Sequence, residues 1–313
     1  MAGRPYAGAM PSSSPSSPRL SAQSLASFAI VSLIWGSTWL VIKDQIALSV
    51  PAWTVTFRFM LAACGMALLA AVRGESLRLA PRGLALAVVV GLFQFCSNFQ
   101  FVYAAEAYVP SGLVAVLYAL MMVPNAILGR IVLGAPLRGR FLAGCAVAIV
   151  GIAVLIGQEY HLHEGVSAAQ TLLGVGLTLC GVMSASTANI IQATPTGRAQ
   201  AVVPMLAWAM LAGAVLDGAF AYATHGAPVI PQGWRFWGGV GWLALGGSVA
   251  AFPIYFALIR QIGAGRAAFT NVITPVVAMA LSTFFEGYQW TWLSVVGSVV
   301  AMAGLVIALT GGR

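Results

Sequence analysis

The stretch LASFAIVSLIWGSTWLVIKDQI, Leu25–Ile46, decides the fold class, because in 22 residues its only charges, Lys43 and Asp44, fall among the last four. A helix rises about 1.5 Å per residue, so about 20 such residues cross ~30 Å of hydrocarbon. Nine further runs of this kind follow, at Ala52–Val72, Gly83–Tyr103, Ser111–Leu133, Phe141–Gly157, Ala169–Gln192, Gln200–Ala223, Trp237–Arg260, Arg266–Phe285 and Trp290–Leu309. Short connectors hold nearly all of the charge. The chain therefore reads as an all-α integral membrane protein with ten transmembrane helices.

Composition leads to the same class. Of 313 residues 60% are hydrophobic and 7% charged, where soluble domains carry roughly a quarter charged residues. No polar block between Leu25 and Leu309 is large enough for a separate soluble domain. Residues 1–24 are rich in Ser and Pro and bury too little surface to offset the entropy of ordering, so a disordered tail is expected there. The apolar run that follows is too long for the core of a signal peptide, so the first helix is expected to stay in place.

Cys64, Cys96, Cys145 and Cys180 fall in four different apolar runs, with no pair spaced for a metal or a redox dithiol, and read as small packing residues. His161 and His163 share a connector with Glu159 and Glu164, where solvated imidazoles are the ordinary reading and a metal the rarer one. No metal or cofactor is expected. The net charge of +8 forms no basic run or stripe, which sets nucleic acid aside as a partner. The charges mark orientation instead. With the amino terminus in the cytoplasm, that side collects twelve of the fourteen arginines. The opposite side keeps Lys43 and Arg235 with Asp44, Glu106, Glu159, Glu164 and Glu286. Cytoplasmic connectors carry the Lys/Arg excess, so both termini are expected in the cytoplasm, which an even number of spans requires.

The chain also repeats itself. Shifted by 153 positions, Gly112 falls on Gly265, Gly134 on Gly287, Gly144 on Gly297 and Gly151 on Gly304, inside matching apolar patterns. This argues for two five-helix units, 25–157 and 169–309. Because five is odd, the second unit enters the bilayer upside down relative to the first, an arrangement common in carriers that work by alternating access. In the first helices of each unit no register is evident.

The chain resembles the drug/metabolite transporter superfamily, in particular the ten-helix EamA-type proteins. The resemblance rests on Trp35-Gly36-Ser37-Thr38 with Lys43, on Arg58-Phe59, and on Pro110-Ser111-Gly112. It rests also on the run from Gly265 through Pro275 to Glu286-Gly287; Leu133 departs from the pattern, since the first unit there has no counterpart of Glu286. It implies an inner-membrane carrier, often an exporter of amino acids or other small metabolites, with a cavity between the halves.

The residues can be examined for such a cavity on their own. Gln94, Ser97, Asn98 and Phe101 share one helix face, and amides near mid-membrane are costly unless they face protein or water. Tyr118 and Asn125 stand seven apart in the fourth run; Ser184 lies in the sixth, Tyr255 in the eighth, Asn271 and Thr274 in the ninth. With Trp35, Ser37 and Thr38 they are candidate lining residues for a substrate. Simple interhelical hydrogen bonding is the competing reading for each. Arg58 and Asp217 are charges set inside apolar runs, which pair or sit in a wet vestibule. Arg58 has Asp217, Asp44, Glu106 and Glu286 as possible partners, and serves as an ion-pair anchor, an outer gate or a clamp for a substrate carboxylate. Lys43, Arg58, Asp217 and Glu286 are the gating or coupling candidates. Gly144 with Gly151, and Gly297 with Gly304, read as close helix packing or as contacts of a homodimer.

No acid lies at the middle of the first run, which disfavours cationic drugs, and a single buried cation disfavours nucleotide sugars. A neutral or zwitterionic solute such as an amino acid suits the amides and aromatics better. An efflux carrier for hydrophobic drugs, or a sensor or assembly protein on the same scaffold, stand as alternatives. No run carries a nucleophile with its base, an HExxH helix or a phosphate loop, so the protein is not expected to be an enzyme.

Overall fold

The computed structural model describes residues 22–134, 137, 139–162, 168–262 and 270–310. The expected tail up to residue 21, His163, Glu164 and Gly265 lie outside the described residues, as do the side chains of Glu159, His161 and Asn271. Every long element is helical: α1 (Ala22–Leu48), α2 (Pro51–Val72), α3 (Pro81–Ala105), α4 (Ser111–Leu133) and α5 (Gly139–Leu162) form the first half. The second half holds α6 (Ala168–Ala193), α7 (Val202–His225), α8 (residues 234–262), α9 (Thr270–Phe285) and α10 (Trp292–Thr310). A single turn, Pro195–Arg198, joins α6 to α7 under the Thr194 cap, whose hydroxyl accepts from the Gly197 amide. Successive helices alternate in direction, so α1 begins and α10 ends at one face. We call it the termini face, and its opposite the far face.

Three of the ten spans are irregular. α4 breaks between Ala119 and Met122, because Pro124 has no N–H for the Leu120 carbonyl and the chain tightens ahead of it, Met121 donating to the Tyr118 carbonyl at 3.0 Å. The Ser111–Leu133 run is thus two helical pieces rather than one straight rod. α8 is wound wide over Trp242–Ala250, just before Pro253, which likewise leaves a carbonyl without its donor. α3 has the same wide turns over Gly91–Ser97, where no proline accounts for them. Wide turns of this kind recur at functional sites, and here they fall on corresponding helices of the two halves.

Packing repeats with the same twofold pattern. α1 lies on α9 as α6 lies on α4; α8 lies on α1 as α3 lies on α6; α2 meets α7, and α5 meets α10, across the axis. Gly134 ends α4 with φ 69° at the termini face and Gly287 follows α9 with φ 70° at the far face. One glycine cap used twice at opposite faces is what an inverted repeat requires, since a left-handed residue favours glycine. Between α5 and α10 the fit is reciprocal: a Cβ at Gly151 would lie 2.3 Å from the Ala301 nitrogen, and one at Gly304 2.3 Å from the Ala148 nitrogen. These small residues therefore pack against one another within the chain, which resolves their reading away from a dimer contact. Trp234, Trp290 and Trp292 stay exposed at the far ends of α8 and α10, the level at which indoles favour a membrane interface.

Candidate functional site

Midway along α1, Trp35 crosses to the other half of the molecule. Its indole Nε1 donates to the Gly247 carbonyl in the wide turns of α8 at 3.1 Å. Its ring lies 5.5 Å from Phe252 and 5.0 Å from Tyr255. The aromatic contacts run on from Phe252 to Phe95, from Phe95 to Phe59 and from Phe59 to Phe99, so the irregular parts of α3 and α8 meet through one continuous wall. Thr38 is buried on the same side of α1, its hydroxyl returned to the Trp35 carbonyl at 2.7 Å. Ser37 faces elsewhere, donating to the Ile34 carbonyl and accepting from Trp242 Nε1 at the periphery. The structure thus separates Ser37 from the Trp35 cluster.

A polar knot sits beside that wall. Asn98 Nδ2 donates to the Gln94 carbonyl at 3.1 Å, and the Tyr118 hydroxyl donates to Asn98 Oδ1. Tyr118 also packs at 4.9 Å from the Trp39 ring, while Ser184 Oγ donates to the Phe93 carbonyl at 2.9 Å, tying α6 to the wide turns of α3. Gln94 and Asn98 are buried. Thr274 Oγ1 and Asn125 Oδ1 are enclosed with no hydrogen-bond partner, and an enclosed polar atom left so costs about 1–3 kcal/mol.

The charged candidates divide. Asp44 takes a two-pronged bond from Arg235, joining α1 to α8. Asp217 Oδ1 accepts from Gln100 Nε2 at 2.8 Å, joining α7 to α3. Glu286 Oε2 accepts from Ser111 Oγ at 2.6 Å and from Ser282 Oγ, while the Gly112 amide donates to Ser282 Oγ at 3.2 Å. Lys43 Nζ donates to the Glu106 carbonyl and, at 3.5 Å, to the Val109 carbonyl. At the far face the last two groups tie the first half to the second and α1 to the connector after α3.

Arg58 belongs to none of these carboxylates. It is 2% exposed, its guanidinium carbon 4.2 Å from the Phe99 ring centre and 5.0 Å from that of Phe59, with Nε and Nη1 unpartnered. A Cβ at Gly247 would lie 3.6 Å from Arg58 Nη2 and 2.9 Å from the Thr38 methyl. Arg58 therefore reaches the Trp35 region through a gap that glycine keeps open. Tyr103 and Glu106 are its nearest electrostatic partners.

Residues that the sequence reading did not put in the site include Phe95, Phe99, Gly247 and Phe252 of the wall, and Trp39, Gln100, Tyr103 and Glu106. Glu106 alone gave a signal, an acid directly between an apolar run and Pro110-Ser111-Gly112. A separate cavity of about 660 Å³ opens at the termini face between Leu77, Arg78, Leu84 and Trp208, away from this cluster. Among the described residues no His/Cys/Asp/Glu group is arranged to hold a metal ion.

The model of the EamA-like transporter family matches this chain twice, over residues 23–157 and 171–310. The chain belongs to the EamA-like transporter family. Family relatives include Protein PagO of Salmonella typhimurium, 27% identical over 90% of this chain and 91% of its own length. The protein named "Probable amino-acid metabolite efflux pump" of Escherichia coli K12 is 27% identical over 91% of this chain and 94% of its own. The uncharacterized inner membrane transporter YedA of the same strain is 30% identical over 87% and 88%. A solved crystal structure has a similar fold, with a TM-score of 0.68 at 18% identity, covering 91% of this chain and 96% of the other. The protein is thus a multi-pass membrane transporter of that family.

Proposed function

We propose that the protein exports small neutral or zwitterionic metabolites, amino acids among them, by alternating access around the Trp35–Arg58 cluster, from a cytoplasmic termini face to a far face outside the inner membrane. The observation that carries this reading is Arg58, a buried cation stacked on Phe99 with Nε and Nη1 unbonded and Nη2 turned toward Gly247, the residue whose carbonyl takes the Trp35 indole. A guanidinium suits a carboxylate and aromatic rings an apolar side chain. Gln94, Asn98 and Tyr118 add amide and hydroxyl groups at neighbouring depth. Two relatives of this length carry the name of an amino-acid metabolite efflux pump, which agrees with that chemistry. The inverted halves supply the rocking elements.

The test is efflux from proteoliposomes loaded with a panel of amino acids, nucleobases, sugars and cationic dyes. Flux of zwitterions that disappears in the Gln94→Ala/Asn98→Ala double variant, with insertion intact, is the expected result. Selective flux of cationic dyes would replace this reading by a drug carrier. Absence of flux for every class would favour a non-transporting role.

A further inference from the structure

At the far face one carboxyl group stands apart from every hydrogen bond around it. Glu106 is 0% exposed, and neither of its carboxylate oxygens has a partner, although Lys43 binds the same residue's backbone carbonyl. It faces Lys43 of α1, Arg58 of α2, Tyr103 of α3, Tyr118 of α4 and Glu286 at the end of α9. Glu286 turns one oxygen to Ser111 and Ser282 and leaves the other unpartnered. Burial holds the Glu106 carboxyl well above the usual carboxylate range; Lys43 and Arg58 pull it down, and Glu286 pushes it further up.

We propose that Glu106 is a proton-binding site that latches the far end of the pathway: protonated, it leaves Lys43 on the Glu106 and Val109 carbonyls and that end closed; deprotonated, it draws Lys43 away and the end opens. A neutral acid can rest without a countercharge in this enclosure. An unbonded carboxylate there needs a cation or water, and of the two cations that face it Lys43, held on this connector, is the nearer influence and Arg58 the lesser. Moving Lys43 from the two carbonyls to the Glu106 carboxylate keeps α1 on Glu106 but releases the Val109 carbonyl, just ahead of Ser111, and it is there, where Ser111 meets Glu286, that the connector parts from α9. The proton passes to far-face water as the latch opens and returns from it as the latch closes. The inference deepens the carrier reading, and its test needs no solute.

Spin labels at Ala107→Cys and Gln289→Cys, in a background without the native cysteines, report the distance between the α3–α4 and α9–α10 connectors in lipid nanodiscs. From about pH 5 to about pH 9, a longer-distance population is expected to grow with rising pH. Glu106→Gln is expected to lose that population and stay closed throughout, while Glu106→Asp, which keeps the acid, retains a titration with a moved midpoint. A distance distribution indifferent to pH, or a titration that survives Glu106→Gln, overturns the proposal. So does a response that Asp217→Asn abolishes while Glu106→Gln does not. If the latch titrates and no solute moves, the carrier reading fails and the proton site stands.

Discussion

The guanidinium of Arg58 lies 4.2 Å from the ring centre of Phe99, enclosed, with two of its nitrogens unbonded. Stacking on an aromatic face recovers about 0.5–2 kcal/mol, less than a buried cation gives up on leaving water. Tyr103 and Glu106 face it and offset part of the remainder, while Nε and Nη1 stay unbonded. On the proposed function those two donors are what a substrate carboxylate meets.

Arg58→Lys is therefore not a conservative change. It keeps the charge but loses the flat, forked donor set that both stacks and grips a carboxylate. Zwitterion efflux is expected to fall at least about tenfold, equivalent to ~1.4 kcal/mol, and Arg58→Ala to fall further. Wild-type flux in Arg58→Lys would show that the position needs only a positive charge.

Tyr118 and Asn98 offer a measurable pair. Tyr118→Phe leaves Asn98 Oδ1 enclosed without its donor, at a cost of about 1–3 kcal/mol in stability. Asn98→Ala on top of it removes the stranded acceptor, so the double variant should lose less than the sum of the two single losses. Thermal unfolding in detergent of the two single variants and the double variant reads this coupling; strictly additive losses would mean that the pair does not interact.

At Gly151 and Gly304 the neighbouring helix backbone is already within 2.3 Å of where a Cβ would stand. Backbone cannot yield as a side-chain tip can. Gly151→Val is expected to cost upward of about 3 kcal/mol, seen as a lowered melting temperature or loss of inserted protein. Because α5 and α10 meet inside the chain, the oligomeric state of any surviving protein should not change. A shift in oligomeric state with unaltered melting would place these glycines at a subunit contact instead.

Much of the fold could be read directly from the residues, and the reasons are physical. Ten apolar runs must each satisfy their own backbone as helices, and the Gly144–Gly151 and Gly297–Gly304 patterns reported a close contact before its partner was known. The breaks did not show in the apolar pattern: Pro124 and Pro253 account for the irregularity of α4 and α8, whereas the wide turns of α3 have no local cause. The charges show where the reading stopped. Arg58, Asp217 and Glu286 stand out as ions in oil, but which atoms they meet depends on how α1, α3, α4, α7 and α9 converge. Arg58 illustrates it: four carboxylates stood open as partners, and the guanidinium instead stacks on the Phe99 and Phe59 rings.

Orientation decides which solution Glu106 meets. Arginines crowd the termini-face connectors, and Arg73, Arg78 and Arg82 all lie between α2 and the first turn of α3, which predicts a cytoplasmic termini face. Ser76 and Gln232 are exposed on connectors at opposite faces. In intact cells a membrane-impermeant thiol reagent is expected to label Gln232→Cys at once and Ser76→Cys only after permeabilisation, again without the native cysteines. The reverse pattern would turn the molecule over. Lys43 and Glu106 would then face the cytoplasm, and the gate that they close would admit solute from that side.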